Sequence, residues 1–551
     1  MDSKSNTYIL AKYDVSGIQQ YIFATNRLRE NVGASFQVTR ILEEYLPEAI
    51  KAATAPQQEN ITESINVLDW KIQDELRIFK DANIEAEIIY IGGGNAMVLF
   101  RDREVFQKVS QNLGEKVARG CQGIYLAVAY VNSKLNSFKN DVNELAKKMA
   151  ENKANMIRQP IYSPFPVVEQ DNSNHQPITR CLRHKNEEVE NTGNMQAVEN
   201  MTEMRYQKWM AYRCSRASKN KNLYPQIAGI ADYDYPVDMD SLCREPGNDS
   251  YIAVVHIDGN GMGRQIQEVL GEQDAYEKAV PLLRKKSKEI SGIFRNTYKA
   301  VLMRLWEHKE LLRTDSKGDI IFPLRPIVLD GDDFTFLCTA DLAIPIAAGF
   351  LKKLSVSQKE KIQKITACAG IAFVHSHFPF YEAYRIAEET CSTAKGKWYE
   401  EKKGKKGSMD KSFLDFRVLK GSEAGGTLKH RQWHMRPYSV DTEDQRIELD
   451  ALVRLYETIK KMEEEWPSNR LHKIYRAILG GEGQLDFLDR EFTSRGYSMK
   501  ELMQTEKWKD SPLYDALELR GLCKVELLAD FLGLQEKQVN EKMESENYFE
   551  K

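Results

Sequence analysis

No Cys-x-x-Cys pair occurs among the eight cysteines of this 551-residue chain. Cys121, Cys181, Cys214, Cys243, Cys338, Cys368, Cys391 and Cys523 are scattered, several within apolar strand or helix patterns. That distribution fits small buried hydrophobes in a reducing compartment better than a disulfide framework. The first residues, Met1-Asp2-Ser3-Lys4-Ser5-Asn6, lack the apolar core of a signal peptide. No window approaches the roughly 20 uninterrupted apolar residues of a membrane span. A cytoplasmic protein without a membrane partner is therefore expected. A charge excess is missing too, since 78 Lys and Arg face 81 Asp and Glu for a net charge of -3. Charge alone does not announce a nucleic-acid binder, and any RNA contact must come from local patches.

What is present is a pair of carboxylate-bearing turns. Pro326-Ile327-Val328-Leu329-Asp330-Gly331-Asp332-Asp333-Phe334-Thr335-Phe336-Leu337 is an apolar run, a Gly-centred turn and an alternating apolar run. It predicts a β-hairpin whose tip presents Asp332 and Asp333. Upstream, Ile252-Ala253-Val254-Val255-His256-Ile257-Asp258-Gly259-Asn260-Gly261-Met262-Gly263 predicts a strand ending in Asp258 and a glycine-rich turn. Asp-Gly and Gly-Asp-Asp are ordinary turn chemistry taken singly. Two such turns at matching strand ends instead suit Mg²⁺ or Mn²⁺, with Asp258, Asp332 and Asp333 as metal ligands and catalytic acids of a two-metal nucleotidyl-transfer site. Gly259, Asn260 and Gly261, with Gly331, would let backbone N–H groups approach a triphosphate. Lys395, expected at the end of the last helix of this region, either neutralises nucleotide phosphates or is a solvated lysine complementing the helix dipole.

Secondary-structure signals repeat. Residues 1–135 and 249–425 each predict a β-α-β-β-α-β order, the ferredoxin-like plan of polymerase palms. The expected elements of the first copy include a strand from Tyr8, a helix from Ser35 to Ile50, a glycine hairpin at Gly92-Gly93-Gly94-Asn95 and a strand from Gly123 to Val131. In the second, a helix is expected from Phe380 to Lys395. Residues 136–248 form a polar insert, irregular or helical with little strand signal, and 426–551 a helical bundle. The fold class is thus α+β. The first copy has Gly94 and Asn95 where the second has Asp332 and Asp333, so it is a poor Mg²⁺ site. It either binds a second nucleotide through Ser16, Gly33, Ser35, Gly93, Gly94 and Asn95, or is a structural pseudo-repeat. Cys181-Leu182-Arg183-His184 offers one close metal-ligand pair where a structural zinc usually takes two, so zinc is not expected. The Lys402-Lys403-Gly404-Lys405-Lys406-Gly407 run is a solvated loop or a backbone-tracking segment.

At these residues the chain resembles the large, palm-containing subunit of type III CRISPR-Cas effector complexes. Asp14-Val15-Ser16-Gly17-Ile18-Gln19-Gln20-Tyr21-Ile22-Phe23 is similar to that family's opening motif, and Gly33-Ala34-Ser35 to its next helix start. Asp330-Gly331-Asp332-Asp333 resembles its GGDD hairpin with Asp330 in place of the first glycine, and Ser412-Phe413-Leu414-Asp415-Phe416 its following strand. The resemblance implies two palms that bind ATP, the second performing chemistry: AMP units joined with release of pyrophosphate when target RNA is sensed. The product would be a cyclic oligoadenylate or an AMP conjugate of S-adenosylmethionine. It also implies other type III subunits, guide RNA and target RNA as partners. The first palm begins within about ten residues of Met1, so the HD-type nuclease domain of many members is not expected. A stand-alone diguanylate-cyclase-like enzyme, a template-directed polymerase and a catalytically silent scaffold subunit are the alternative readings.

Overall fold

The computed structural model describes residues 7–54, 68–72, 74–157, 167–172, 176–183, 198–217, 235–236, 238–243, 250–271, 273–312, 314, 318, 320, 322–356, 365–404, 411–419, 433–440, 451–503, 505 and 507–534. They fall into two compact units. The first takes Met1–Pro225, Gly261–Gly292 and Ile327–Asp332; the second takes Gln226–Asn260, Ile293–Pro326 and Asp333–Lys551.

In the first unit, β1 (Tyr8–Ser16), α1 (Leu28–Arg40), β2 (Ala86–Gly92), β3 (Asn95–Phe100), α2 (Arg103–Gly120) and β4 (Tyr125–Ser133) follow the predicted order. The sheet order is β2-β3-β1-β4, antiparallel throughout, which is the ferredoxin-like arrangement. Alternation along β1 assigns the two faces. Tyr13 points to α2, where its hydroxyl meets Ser110 Oγ at 3.0 Å. Leu10 joins the opposite core with Phe138, Leu145 and Met149 of α3 (Phe138–Ala154) and Ala279, Val280 and Leu283 further on. Ser137 caps α3 by accepting the Asn140 N–H.

Two sequence expectations shift here. The helix expected from Ser35 begins at Leu28 and continues through a wider turn, Ile41–Tyr45, into a helix over Leu46–Thr54. Its polar first turns hid it, because Glu30 is buried against Arg205 of α4 (Glu203–Ala217) rather than solvated. Arg205 also binds Asp171 and Glu199, so the polar insert supplies a buried ion network instead of irregular chain. Two of the insert's segments, α3 and α4, are well-formed helices, and Arg180–Arg183 pairs with Val198–Met201 as a ribbon.

The second unit is built on β5 (Tyr251–Gly259), the helices α5 (Met262–Leu270) and α6 (Tyr276–Glu307), the hairpin β6 (Leu324–Asp330) and β7 (Asp333–Thr339), α7 (Ala343–Val356) and β8 (Ala367–His375). By unit membership α5 and the first half of α6 belong to the first unit. Two further strands, β9 (Ser412–Val418) and β10 (Tyr438–Val440), extend the sheet to the order β10-β9-β8-β5-β7-β6. The last four of these, β8-β5-β7-β6, repeat the ferredoxin-like order. Phe334 and Phe336 on one face of β7 meet Tyr298 of α6, and Phe334 also meets Phe294 and, on α7, Phe350, with ring centroids 5.4–6.1 Å apart. The opposite face is covered by α8 (Phe380–Gly404). Among the described residues six helices follow, α9 (Ala451–Glu465), α10 (Ser468–Leu479), α11 (Glu482–Thr493), α12 (Met499–Met503), α13 (Leu513–Glu518) and α14 (Val525–Phe531), matching the expected helical C-terminal region.

Candidate functional site

Asp258 and Asp333 are register partners on β5 and β7. Period-two alternation puts both on the α8 side of the sheet, opposite the face that carries Phe334 and Phe336. Gly331 adopts φ 60° in the turn between β6 and β7, a left-handed conformation that glycine holds without strain, and Asp332 follows it in that turn. The side chains of Asp258 and Asp333 are 34% and 40% exposed, open enough for a solvent-borne ligand.

One register step below, His256 pairs with Thr335. Its Nδ1 lies 3.0 Å from Thr335 Oγ1 and 3.4 Å from Asp333 Oδ1. Burial holds the imidazole below its ordinary pKa, against the opposing pull of Asp258 and Glu388. A neutral imidazole beneath Asp333 leaves the carboxylate its negative charge. Tyr384 of α8 packs edge-on against His256, and burial together with the charge of Asp333 pushes its phenol well up. Sequence reading missed this layer, although residues two positions from each acid, His256 before Asp258 and Thr335 after Asp333, must share its face.

Lys395 is where the structure departs most from expectation. The helix does not end there but runs on to Gly404, held down by Trp398, which is buried. Lys395 Nζ donates to Asp258 Oδ2 at 2.5 Å and to the Gly259 carbonyl at 3.1 Å. Burial depresses the ammonium, but the charge and hydrogen bond of Asp258 outweigh it and its pKa ends above the ordinary value. It is therefore neither a helix-end lysine nor a solvated one. Gly370 sets its height: a Cβ there would sit 2.1 Å from the Ala387 carbonyl and 2.2 Å from the Cys391 nitrogen of α8.

Asn260 is a clamp behind this turn. Its backbone N–H and its Nδ2 both donate to Thr366, at 2.8 and 3.0 Å, and the residue is buried. Its Oδ1 has no hydrogen-bond partner among the described residues. Gly261 caps α5 in the left-handed region.

In the first unit, Asp14 of β1 is opposite Asn95 of β3 and Ala127 of β4. Ser16 Oγ donates to Asp14 at 3.2 Å, and Lys153 of α3 pairs with it at 2.6 Å. Gly93 and Gly94 form the hairpin turn at positive φ, and Asn95 Nδ2 bonds the Gly93 carbonyl at 2.8 Å. Gly33 and Ser35 are not at a helix start; both are buried inside α1. A Cβ at Gly33 would sit 1.9 Å from the Lys208 carbonyl of α4, which accounts for the glycine by helix packing.

Carboxylate oxygens at registered strand ends are the donor set that Mg²⁺ or Mn²⁺ prefers, so Asp258 and Asp333 fit a divalent cation. A different group, His434, Asp515 and Glu518, also brings ligand atoms together, and it alone does so within 4.8 Å for three such side chains among the described residues. There Arg436 already supplies the cation, bonding Glu518 at 2.9 Å and His434 Nε2 at 3.1 Å. That cluster is an ion network. Of the other sequence candidates, His184 and residues 405–407 lie outside the described residues; Lys402 lies over the Trp398 ring at 4.5 Å. All eight cysteines are free thiols, six of them buried. Among the described residues no helix is long and apolar enough to cross a membrane.

Residues 251–405 match a family model described as Cas10/Cmr2, second palm domain. No curated protein sequence matches the chain. Among solved structures, the fold is similar to a chain of a Csm1–Csm4 cassette in complex with cA4, with a TM-score of 0.51 and 11% identity over 96% of this chain and 71% of that one. A Csm1–Csm4 cassette in complex with pppApA gives a TM-score of 0.53 and 13% identity, covering 95% and 70%. At such identities the likeness is one of fold.

Proposed function

We propose, from the match of residues 251–405 to the Cas10/Cmr2 second palm domain, that this chain is the large subunit of a type III RNA-guided complex whose second palm makes a signalling nucleotide from ATP. The observation that carries the reading is the registered Asp258–Asp333 pair, beside Asp332 on the turn and under the ammonium of Lys395. Asp258, Asp332 and Asp333 would hold Mg²⁺ or Mn²⁺, which lowers the pKa of an attacking hydroxyl and neutralises phosphate charge when bound.

The remaining work falls to this chain's own groups. A ribose hydroxyl attacks the α-phosphorus of ATP, a new P–O bond forms, the α–β anhydride bond breaks and pyrophosphate leaves. No protein nucleophile is required. Lys395 would meet phosphate charge, and Gly259, Gly261 and Gly331 would let backbone N–H groups approach it. The neutral His256–Thr335–Tyr384 layer holds Asp333 from below without competing for its charge. One adenylyl transfer between two ATP molecules leaves pppApA, the ligand of one of the like-folded cassettes, which supports adenylate chemistry here. That those cassettes pair Csm1 with Csm4 supports a further protein subunit as a partner here; guide and target RNA would come with the assembled complex.

The test is mass spectrometry of products from the assembled complex given ATP and target RNA, with and without S-adenosylmethionine. Asp332→Ala with Asp333→Ala should lower product at least about 100-fold while RNA capture is retained, since removing charge stabilisation of the reacting phosphate typically has that effect. Unchanged product in the double variant would sink the assignment. A product that forms only with S-adenosylmethionine would identify the acceptor as that molecule rather than a second ATP.

A further inference from the structure

The same ion pair is built twice in this chain, once in each unit. In the first, Asp14 of the opening strand is bound by Lys153 of the helix after β4, at 2.6 Å. In the second, Asp258 of the equivalent strand is bound by Lys395 of the helix after β8, at 2.5 Å. The surroundings also match. Each aspartate pairs in register with a residue of the hairpin's second strand and with one of the fourth strand: Asn95 and Ala127 for Asp14, Asp333 and Cys368 for Asp258. Three residues after each aspartate, a glycine caps a helix in the left-handed region, Gly17 at φ 76° and Gly261 at φ 64°.

The two copies differ in charge. Asp258 has a second carboxylate directly across the sheet, so Lys395 stands against at least two negative charges. Asp14 faces the neutral Asn95, with Lys12 nearby on the same strand face. The first aspartate is closed off, its side chain only 9% exposed, whereas Asp258 and Asp333 are 34% and 40% exposed. Two open carboxylates in register are a donor set for a divalent cation, and an ammonium already on one of their oxygens competes for the position.

We propose that Lys395 is a displaceable counterion: it holds Asp258 in the metal-free protein, yields the carboxylate to a divalent cation, and is thereby released toward the phosphates of the incoming nucleotide. Lys153, its counterpart on Asp14, stays in place. The proposal rests on the reading of Asp258 and Asp333 as metal ligands, and it adds that metal and nucleotide binding are coupled through one lysine. The alkyl stem of Lys395 is long enough to keep its anchor on α8 while the ammonium moves between neighbouring oxygens.

The experiment titrates the full-length chain with Mn²⁺ alone and counts free ion by electron paramagnetic resonance, then repeats the titration with a non-hydrolysable ATP analogue present. Lys395→Met should bind Mn²⁺ alone more tightly, by about tenfold from loss of one adjacent positive charge. In the same variant the analogue should bind more weakly, and its help to Mn²⁺ binding should shrink. Lys395→Arg should restore competition with the metal, and Lys153→Met should leave Mn²⁺ affinity at the wild-type value. Circular dichroism and melting curves identify any variant that fails to fold. Equal or weaker Mn²⁺ binding by folded Lys395→Met would overturn the counterion while leaving the metal site standing. Wild-type Mn²⁺ binding that is unaffected by Asp258→Asn with Asp333→Asn would remove the metal site and the counterion together.

Discussion

Asp415 lies on β9 across from Gly370, with its carboxylate accepting the Phe416 N–H at 2.8 Å and Arg436 Nε 3.9 Å away. Burial outweighs Arg436 and raises its pKa from 3.8 to about 6. The folded state therefore favours the protonated acid. Stability from this group is fully present below about pH 4 and is lost as pH rises through 6, a loss approaching about 3 kcal/mol for a shift of roughly two units. Asp415→Asn should thus gain on the wild type as pH rises, the gap widening by about 2 kcal/mol between pH 4 and pH 8 in urea unfolding. A gap that stays constant would mean that another group titrates. Single residues were readable from sequence where the chemistry is local. The strand-end positions of Asp258 and Asp333 were legible because each acid closes or opens an apolar run beside a glycine turn. Lys153 and Arg205 did not, because what makes each of them important is an acid far away in the chain, and nothing in their neighbours signals it.

Helix α6 shows how an element is fixed by side chains that look solvated in sequence. Within the first unit Arg284 is fully buried, and its guanidinium donates to Glu87 at 3.0 Å, to the Ile89 and Ile88 carbonyls at 3.0 and 2.6 Å, and to the Glu75 carbonyl at 2.9 Å. Glu87 in turn accepts the Arg77 and Ile78 N–H groups at 2.8 and 2.7 Å. Desolvation lowers the guanidinium's pKa, with Glu87 opposing, so its charge persists only because every donor is met. Arg284→Met should cost about 3–5 kcal/mol, because it strands the Glu87 charge in the interior. Adding Glu87→Gln should recover much of that loss, and denaturant unfolding of the four-member cycle measures the coupling. A single variant within about 0.5 kcal/mol of wild type would show the pair to be solvated. The same blindness explains the late prediction of α1, though not the early end predicted for α8. In α1 a polar stretch reads as loop because its burial depends on Arg205 far along the chain, whereas the end of α8 is mostly exposed and only Trp398 anchors it. The strands of the two large sheets gave less trouble, since their apolar runs are written in the strand itself; the ribbon of Arg180–Arg183 with Val198–Met201 is the exception.

At the level of the whole chain, the duplicated β-α-β-β-α-β order was legible, and so was a helical C-terminal region. The exchange of segments between compact units was not, for contiguous sequence gives no hint that α5 and part of α6 group with the first unit. Charge is also a property of the whole molecule, and it frames the last prediction. With a formal net charge of -3 over 551 residues, the chain lacks the overall cationic excess that would favour non-specific affinity for RNA. Free chain should therefore hold single-stranded RNA no more tightly than about 10⁻⁵ M at physiological salt, within the non-specific range. If partner subunits carry the guide, synthesis should depend on them. Product from ATP should be lowest for the free chain, higher for the guide-loaded complex and highest once cognate target RNA has paired, because target binding shifts the population toward the competent state. A target that shifts the competent fraction from about 1% to 99% must bind that state about 10⁴-fold more tightly, so partial activation by mismatched targets is expected to grade with affinity. Equal rates for free chain, loaded complex and target-bound complex would reject RNA gating. They would leave a constitutive nucleotide cyclase carrying the same acids.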